Sequence, residues 1–216
     1  MIINQNIAQQ TAEFLLQINA IKLNPKNPFI WASGWRSPIY CDNRVALSYP
    51  EVRTFLSKTI AQEIKDQFDT NIVIAGVATG AIGMGMLVAQ ELNLPFIYVR
   101  PEAKKHGRQN QIEGALEAGE KVVVIEDLIS TGMSSLNAVD ALHNAGAQVL
   151  KMYALFTYGF KKAEKAFDKA GVTLHTLCNY DLLLPVALGA NKISQLEYKN
   201  LKTWRKDPAN WDPSKD

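Results

Sequence analysis

The stretch VVVIEDLISTGMSS, at residues 122–135, decides the fold class of this chain. Its first four residues form a short, continuously apolar run, which is typical of a strand that is buried on both faces of a sheet. Glu126 and Asp127 follow at the end of that run, and small residues then lead into a predicted helix. This strand–loop–helix order indicates one βα unit of an α/β fold.

Apolar runs alternate with helical patterns on both sides of this unit. We predict strands at residues 72–76, 96–99, 121–125, 149–156 and 173–177. We predict helices at residues 6–21, 49–68, 134–144, 161–170 and 193–204, with a further helix that ends at Leu92. Strands that alternate with helices predict a central, mostly parallel sheet with flanking helices.

The first 45 residues do not follow this alternation. Residues 29–44 are aromatic and are broken by Ser33-Gly34, a pattern that predicts two short strands around a turn. We expect this N-terminal element to lie over the carboxyl edge of the sheet, where ligands bind in open α/β sheets. The 216 residues suit a single domain. We divide it into this element at about 1–45, a core at about 46–190, and a C-terminal helix and tail at about 191–216.

The charge balance excludes some classes of partner. The chain has 23 Lys and Arg residues against 21 Asp and Glu residues, a formal net charge of +2. Affinity for polyanions needs a surplus of cations, so we expect no nucleic acid and no membrane surface as partner. The longest apolar runs are also far shorter than the roughly 18 residues of a membrane span.

The cysteine content points to a reducing compartment. Cys41 and Cys178 are the two cysteines, which are too few for a disulfide scaffold and cannot by themselves form a zinc site. The N-terminus lacks both the cationic segment and the long apolar segment of a signal peptide. We therefore expect a cytoplasmic protein with reduced thiols.

The acidic pair and the small residues after it suit a sugar phosphate. Backbone N–H groups at a helix N-terminus, beside the small residues at 130–134, can bind a phosphate. Carboxylates next to a phosphate need another partner, and the two hydroxyls of a ribose are suitable. Glu126 and Asp127 followed by this loop therefore indicate a ribose 5-phosphate site. The alternative is an acidic strand end followed by an ordinary helix cap.

Residues 100–119 form a long polar segment without periodicity. A cluster of four permanent cations and one histidine falls within nine residues of it: Arg100, Lys104, Lys105, His106 and Arg108. A long loop with glycines, placed at the end of a strand, can close over a substrate, exclude water and neutralise charge. The segment therefore indicates binding of a diphosphate leaving group, and the alternative is a solvated surface loop.

The glycine-rich segment AGVATGAIGMG, at residues 75–85, follows a predicted strand. Glycines at this place would let the backbone approach a diphosphate closely. Packing of a helix against the sheet is the alternative explanation, and from these residues alone we favour it.

Residues 122–134 resemble the phosphoribosyl-diphosphate (PRPP) signature of the type I phosphoribosyltransferases. That signature has four apolar residues, an acid, an aspartate, two apolar residues and a small Thr/Ser/Gly-rich turn, and this chain fills it without a gap. The resemblance implies an α/β fold of the type I phosphoribosyltransferase kind, with a central, mostly parallel sheet, flanking helices and an N-terminal hood. It also implies that PRPP is bound by Glu126, Asp127, Leu128, Ile129, Ser130, Thr131, Gly132, Met133 and Ser134.

Two further segments resemble the orotate phosphoribosyltransferases of this family. Ser33-Gly34 and Ser37-Pro38-Ile39-Tyr40 match the hood, and the loop cations have the spacing of the diphosphate-binding residues. The catalytic residues that the resemblance implies are Arg100, Lys104, His106 and Asp127, and Lys105 also binds PRPP. The orotate-binding residues that it implies are Ser130, Tyr40 and a cation supplied by Arg44 or Arg36.

The match to this family is uneven. Family lysines are absent at Ala32 and Gly80, and Pro101 stands where some members have a second loop cation. Residues 156–160 also lack an arginine that some members carry. Either the chain belongs to another branch, in which Arg44 or Lys105 compensates, or its activity is reduced or altered. We favour another branch because the hood motif is intact.

The resemblance implies transfer of the phosphoribosyl group of PRPP to orotate, which gives orotidine 5′-monophosphate and pyrophosphate. Mg²⁺ is the implied cofactor, held by substrate oxygens and water without a protein ligand. A homodimer is implied too, because the cationic loop of the family serves the active site of the neighbouring subunit. The alternatives are a phosphoribosyltransferase for another nucleobase and a non-catalytic PRPP-sensing regulator. A regulator would need a nucleic-acid-binding element, and the sequence has no helix-turn-helix pattern and no basic face.

Overall fold

The computed structural model describes residues 2–31, 34–102 and 111–212. In chain order the strands are β1 Ile21–Leu23, β2 Phe29–Ile30, β3 Arg36–Ser37, β4 Ile39–Cys41, β5 Val73–Val77, β6 Phe96–Val99, β7 Ile112–Glu113, β8 Lys121–Ile129, β9 Gln148–Thr157 and β10 Leu174–Asn179. The α-helices are α1 Gln5–Gln17, α2 Pro50–Gln67, α3 Ile82–Leu92, α4 Met133–Asn144, α5 Lys161–Ala170, α6 Tyr180–Gly189 and α7 Gln195–Lys206. A 3₁₀ helix, Asn43–Ser48, precedes α2.

Six strands form one sheet, in the order β10-β9-β8-β5-β6-β7. Every neighbouring pair is parallel except β6 and β7, so the predicted mostly parallel sheet is confirmed. β8 lies between β5 and β9, and residues 122–126 of this strand are buried. A strand with neighbours on both sides and helices on both faces is shielded from water, which explains the continuous apolar run at its start.

Helices cover both faces of the sheet. On one face, Ile125 of β8 belongs to a core that includes residues of α1, α2, α3, α6 and α7. On the other face, its neighbour Val124 belongs to a core that includes residues of α4 and α5. Neighbouring side chains that point to opposite cores are the pattern of a strand between two helical layers. Among the described helices, none is both long and apolar enough to cross a membrane.

The N-terminal segment differs from its predicted form at the end of its first helix and in an additional pair of strands, β1 and β4. The helix predicted at residues 6–21 ends at Gln17. Asn19 takes a left-handed φ of 57°, which a right-handed helix cannot include, and Ile21 then begins β1. β1 pairs antiparallel with β4. The antiparallel pair of β2 and β3 is the predicted pair of short strands, and we call it the hood hairpin.

The sequence pattern does not predict α6. Its residues 182–186 are apolar without a helical period, and Pro185 lies inside the helix, where it cannot donate a backbone hydrogen bond. The helix is stabilised by burial, since Leu183 and Leu184 are almost fully buried. The side chain of Asn179 also accepts a hydrogen bond from the backbone N–H of Leu182 at 3.0 Å, which caps the helix N-terminus.

The other predicted helices and strands are present with shifted ends. The largest shift is in β8, which continues through the acidic pair to Ile129 because its ladder with β9 extends to Thr157. The strand predicted at residues 121–125 was therefore too short. The division of residues 1–216 into a hood, a core and a C-terminal segment of one domain stays a prediction.

We predict that Asn179→Ala lowers the free energy of unfolding by about 1 kcal/mol, because it removes the cap of α6. Urea unfolding followed by circular dichroism measures this loss. Asn179→Asp is the matched control, since an aspartate can accept the same hydrogen bond and should retain most of the stability. Equal unfolding midpoints for the alanine variant and the unchanged protein would show that α6 does not depend on this cap.

Candidate active site

The acidic pair and the small residues after it lie at the carboxyl edge of the sheet, where β5 and β8 run side by side. A cleft of about 330 Å³ opens there. Its lining residues are Cys41, Asp42 and Arg44 from the N-terminal segment, Val77, Ala78, Thr79 and Gly80 from the end of β5, and Glu126, Asp127, Leu128 and Ser134. This edge is where ligands bind in open parallel sheets.

A larger hollow of about 600 Å³ lies along the edge strand β10, beside α5. Among the described residues that line it, none belongs to the stretch 122–135. Acidic side chains, a helix N-terminus and the glycine-rich loop converge on the smaller cleft instead. We therefore place the site in the smaller cleft, on the ground of its chemistry and not of its volume.

The two carboxylates of the signature stretch have different surroundings. Glu126 is 5% exposed, and it accepts hydrogen bonds from Ser135 Oγ at 2.8 Å and from the Asp127 backbone N–H at 2.9 Å. Asp127 is half-buried and faces Gly80 in the cleft. Consecutive side chains of a strand point to opposite faces, which explains the separation. Asp127 is therefore the more exposed of the two carboxylates that line the cleft, whereas Glu126 also connects α4 to β8.

The environment of Glu126 favours its neutral form. Burial raises the pKa of this carboxyl well above its ordinary value, and the neighbouring charge of Asp127 raises it further. The hydrogen bond from Ser135 acts in the opposite direction but is the smaller effect. A shift of Glu126 toward its neutral form reduces the repulsion between this carboxyl and a phosphate bound nearby.

Gly80 allows the loop after β5 to approach Asp127 closely. A Cβ atom at this position would collide with the Asp127 carboxyl group. The observed position of the carboxylate therefore requires glycine here. The Ala78–Thr79 peptide bond of the same loop is cis.

The turn after Ile129 leads into α4 as predicted. Gly132 has a φ of 81°, and a side chain at this position would also meet the ring of Phe167 at 2.9 Å, so the turn requires glycine. Among the described residues, no side chain caps α4, so the N–H groups of its first turn are available to an anion. Ser134 lines the cleft beside them.

The other residues expected to bind PRPP differ in exposure. Leu128, Ser130 and Thr131 are half-buried, and Met133 is 62% exposed. The side chain of Ile129 is fully buried in the core. Ile129 can therefore contribute to a ligand site through its backbone alone.

Asn43 connects the N-terminal segment to the acidic strand, and sequence reasoning missed it. Its Nδ2 donates to the backbone oxygen of Asp127 at 2.6 Å, although the two residues are 84 positions apart. Its Oδ1 lies 3.2 Å from the sulfur of Cys41. Ser135, the partner of Glu126, was missed as well because it lies one residue beyond the signature. The one signal in the sequence that could have identified Ser135 is that it is a polar residue directly after the signature.

Arg44 is already paired inside the N-terminal segment. Its Nε and Nη2 donate to the two carboxylate oxygens of Asp42 at 2.7 and 2.8 Å. The guanidinium lowers the pKa of Asp42, mainly through these hydrogen bonds. The arginine side chain is 55% exposed and lines the cleft, so it remains within reach of an anionic ligand.

The other predicted orotate-binding groups of this segment lie outside the cleft lining. The Tyr40 ring is 40% exposed and packs on Phe29, with ring centroids 5.6 Å apart. Arg36 is exposed on β3. Neither is among the residues that line the cleft, so the structure brings Arg44, but not Tyr40 or Arg36, to the acidic pair.

Arg100 lies in a side pocket of the cleft. This pocket, of about 60 Å³, shares Val77, Ala78 and Ser134 with the cleft. The guanidinium of Arg100 pairs with Glu113 of β7 at 3.6 Å. The other loop residues proposed from the sequence, Lys104, Lys105, His106 and Arg108, lie outside the described residues, as do Ala32 and Ser33 of the hood.

The chemistry of the cleft is that of charge stabilisation. Burial and the nearby Asp127 raise the pKa of the Cys41 thiol well above its ordinary value, so the thiol stays protonated and is a poor nucleophile. No group of three or more His, Cys, Asp and Glu side chains within the described ranges could hold a metal ion. A metal that needs few protein ligands and is carried by a phosphorylated ligand fits such a site.

Comparison with known proteins gives consistent matches. Residues 51–179 match the family model of the phosphoribosyl transferase domain. The orotate phosphoribosyltransferase of Bacteroides thetaiotaomicron is 55% identical over 211 residues, which cover 98% of this chain and all of that protein. The one from Cytophaga hutchinsonii is 50% identical over 206 residues, which cover 95% of this chain and 99% of that protein. The crystal structure of the orotate phosphoribosyltransferase from Aeropyrum pernix is similar with a TM-score of 0.71 at 27% identity, covering 85% of this chain and 99% of that one.

We predict that Glu126→Gln changes the pH dependence of stability. A carboxyl whose pKa is raised by folding destabilises the folded state as the pH rises from its ordinary value of 4.5 through its raised value. The glutamine variant lacks this titration, so its stability relative to the unchanged protein should increase with pH. Urea unfolding at several pH values above 4.5 measures the difference, and parallel stability profiles of the two proteins would contradict the prediction.

Proposed function

The chain belongs to the orotate phosphoribosyltransferases of the phosphoribosyl transferase domain family, and we propose that it converts orotate and PRPP to orotidine 5′-monophosphate and pyrophosphate in pyrimidine biosynthesis. The type I phosphoribosyltransferase fold expected from the resemblance is confirmed. One observation carries the proposal: the Asp127 carboxylate opens into a cleft that also contains the uncapped N-terminus of α4. A ribose 5-phosphate needs an acceptor for its hydroxyls and N–H donors for its phosphate, and both lie in this cleft.

Asp127 would bind the ribose hydroxyls and favour the oxocarbenium-like transition state. The carboxylate is held in place because its backbone oxygen accepts from Asn43 and its side chain lies against Gly80. Glu126, which we expected to share this role, would act mainly through the position of α4, since its carboxyl is bound by Ser135. A preorganised charge at the reacting sugar lowers the barrier without a covalent intermediate.

Residues 130–134 would bind the 5-phosphate. The uncapped N–H groups at the start of α4 and the exposed Ser134 support this role. Ser130 would also lie near the pyrimidine. Met133 is well exposed at the mouth of the turn, and its backbone N–H belongs to the first turn of α4.

The loop cations would stabilise the departing pyrophosphate. Arg100 lies in the side pocket that adjoins the cleft, which supports a place for the diphosphate there. Lys104, Lys105 and His106 would add charge when the loop covers the substrate. Arg100 exchanges one anionic partner for another in this step, since it is paired with Glu113 in the free protein.

The nucleobase would lie on the hood side of the cleft. Arg44 is the cation of this segment that reaches the cleft, which supports a role for it toward the orotate carboxylate. Tyr40 packs on Phe29 beside the cleft, so a role as the apolar face of the base site would need a change of its side-chain position.

Mg²⁺ fits a site of this composition. We assign the ion to PRPP oxygens and water, because Mg²⁺ binds few protein ligands and the described residues offer no cluster of three ligand side chains. The ion neutralises charge on the diphosphate when it is bound. A cytoplasmic location is also part of the proposal, and the two free thiols support it.

Two alternatives remain distinct from this proposal: transfer to another nucleobase, and a PRPP-sensing regulator without turnover. Release of pyrophosphate from PRPP and Mg²⁺ with orotate, compared with uracil, hypoxanthine and adenine, separates the three. We expect turnover with orotate. Turnover with a purine but not with orotate would refute the orotate assignment. The absence of turnover with every base would refute the proposal that the protein is an enzyme.

We predict that Asp127→Asn lowers kcat by at least about tenfold while the fold survives, because the variant keeps the shape of the side chain but loses its charge. Circular dichroism checks the fold, and steady-state pyrophosphate release gives the rate. Asp140→Asn, an exposed carboxylate of α4, is the matched control and should keep its rate. A rate for Asp127→Asn equal to that of the control would exclude Asp127 from the stabilisation of the transition state.

We predict that Lys104→Ala lowers turnover by more than about 100-fold, because it removes charge that opposes the leaving group. Lys121→Ala is the control, since Lys121 is exposed at the opposite end of β8. A change below about threefold, about 0.65 kcal/mol, would remove Lys104 from the mechanism.

The same two variants test the proposed homodimer with shared active sites. If the loop of one protomer serves its partner, a mixture of Lys104→Ala and Asp127→Asn protomers forms one site in which both residues are intact. A specific activity of the mixture above that of either impaired variant supports the shared site. A mixture that is as inactive as its components contradicts it.

A further inference from the structure

The C-terminal helix α7 is joined to the hood by one of its two fully buried residues. Trp204 is fully buried, although it lies in a segment that the sequence assigned to no function. Its indole packs in edge-to-face contacts on Trp31 at 5.7 Å, on Tyr158 at 5.9 Å and on Phe160 at 5.7 Å. Its Nε1–H donates to the backbone oxygen of Arg36 at 3.2 Å. The Trp204 side chain therefore contacts three places: the residue that follows β2, the first residue of β3 and the segment that follows β9.

The hood hairpin needs an external support of this kind. Its strands are two residues long, and a short two-stranded hairpin is not stable alone in water. Trp31 and Trp35 close it, with a backbone hydrogen bond of 2.9 Å and stacked rings at 6.3 Å. Both rings pack outside the hairpin, Trp31 on Tyr158 and Trp35 on Phe160. The aromatic contacts with the segment after β9 and with α7 therefore hold the hairpin in place.

Arg205 fixes the segment that receives these tryptophans. Its Nε donates to the backbone oxygen of Tyr158 at 3.1 Å, and its Nη2 donates to that of Gly159 at 2.9 Å. Its guanidinium also pairs with Asp181 of α6 at 3.2 Å. Hydrogen bonds from a charged donor to two successive carbonyls set the direction of Tyr158 and Phe160 more strictly than apolar packing would.

The hood hairpin is in turn connected to the cleft. The indole N–H of Trp31 donates to the backbone oxygen of Ile39 in β4, at 3.2 Å. The last residue of β4, Cys41, and the following Asp42 line the cleft. A continuous series of contacts thus runs from α7 through the hairpin to the side of the cleft that faces the nucleobase.

We propose that Trp204 and Arg205 are positioning residues, through which α7 sets the hood for binding of the nucleobase. This inference rests on the proposed function for the identity of the base. Neither residue lines the cleft, so both act through the hairpin and β4. If these two residues served packing alone, substituting them would lower the stability of the protein without changing its affinity for orotate relative to PRPP.

Trp204→Phe is the first test, because it keeps an aromatic ring but removes the N–H that binds Arg36. We expect the KM for orotate to rise at least about fivefold while the KM for PRPP stays within about twofold. Arg205→Gln, which removes the charge and the paired donors, should have the same direction of effect. Leu142→Ala, in the core on the other face of the sheet, is the matched control: it should lose stability but keep both KM values.

Amide hydrogen exchange gives a readout that does not depend on turnover. The backbone N–H groups of Trp31 and Gly34 are hydrogen-bonded within the hairpin turn, and we expect them to exchange faster in Trp204→Phe than in Leu142→Ala. Unchanged exchange in Trp204→Phe overturns the link between α7 and the hood, even if the protein does not use orotate. Faster exchange with an unchanged KM for orotate overturns the role in substrate binding.

Discussion

Alternation along a β-strand is the constraint on which the cleft depends. Consecutive residues of β8 point to opposite faces, so two adjacent carboxylates have different neighbours even where both line one cleft. Glu126 therefore lies almost fully buried and binds Ser135 of α4, and Asp127 is the more exposed of the two. The more buried carboxylate joins β8 to α4, whose N-terminus is the proposed phosphate site. A buried hydrogen bond thus connects the strand that carries the proposed diol acceptor to the helix that carries the proposed phosphate donors.

The other walls of the cleft come from segments that have little stability of their own. The N-terminal strands are two or three residues long, and a sheet of that size needs contacts with the rest of the protein. Asn43 provides one such contact through the backbone oxygen of Asp127, and the tryptophans of the hood hairpin provide another through α7. The side of the cleft proposed for the nucleobase is therefore built from distant parts of the chain, whereas the side proposed for the ribose phosphate is local.

This difference decides what the sequence could predict. Local signals predicted both ends of α5 correctly. Its C-terminal end is fixed by Gly171, which has a φ of 67°. They also identified the turn around Gly132, where a positive φ and a small side chain are both required. They failed for α6, because Pro185 and a continuous apolar run hide a helix that tertiary burial stabilises. The end of β8 was misplaced for a similar reason, since its ladder with β9 continues beyond the polar pair.

The pairing of cations with carboxylates changes how the cleft attracts an anion. Arg44 is bound by Asp42 and Arg100 by Glu113, so each cation near the cleft already has an acidic partner among the described residues. An anionic substrate must compete with those carboxylates, and such an exchange contributes less affinity than an unpaired cation would. Residues 100–108 carry four cations against one acid, Glu102. We therefore expect the loop cations other than Arg100 to contribute most of the attraction for a diphosphate, while Arg44 and Arg100 supply orientation.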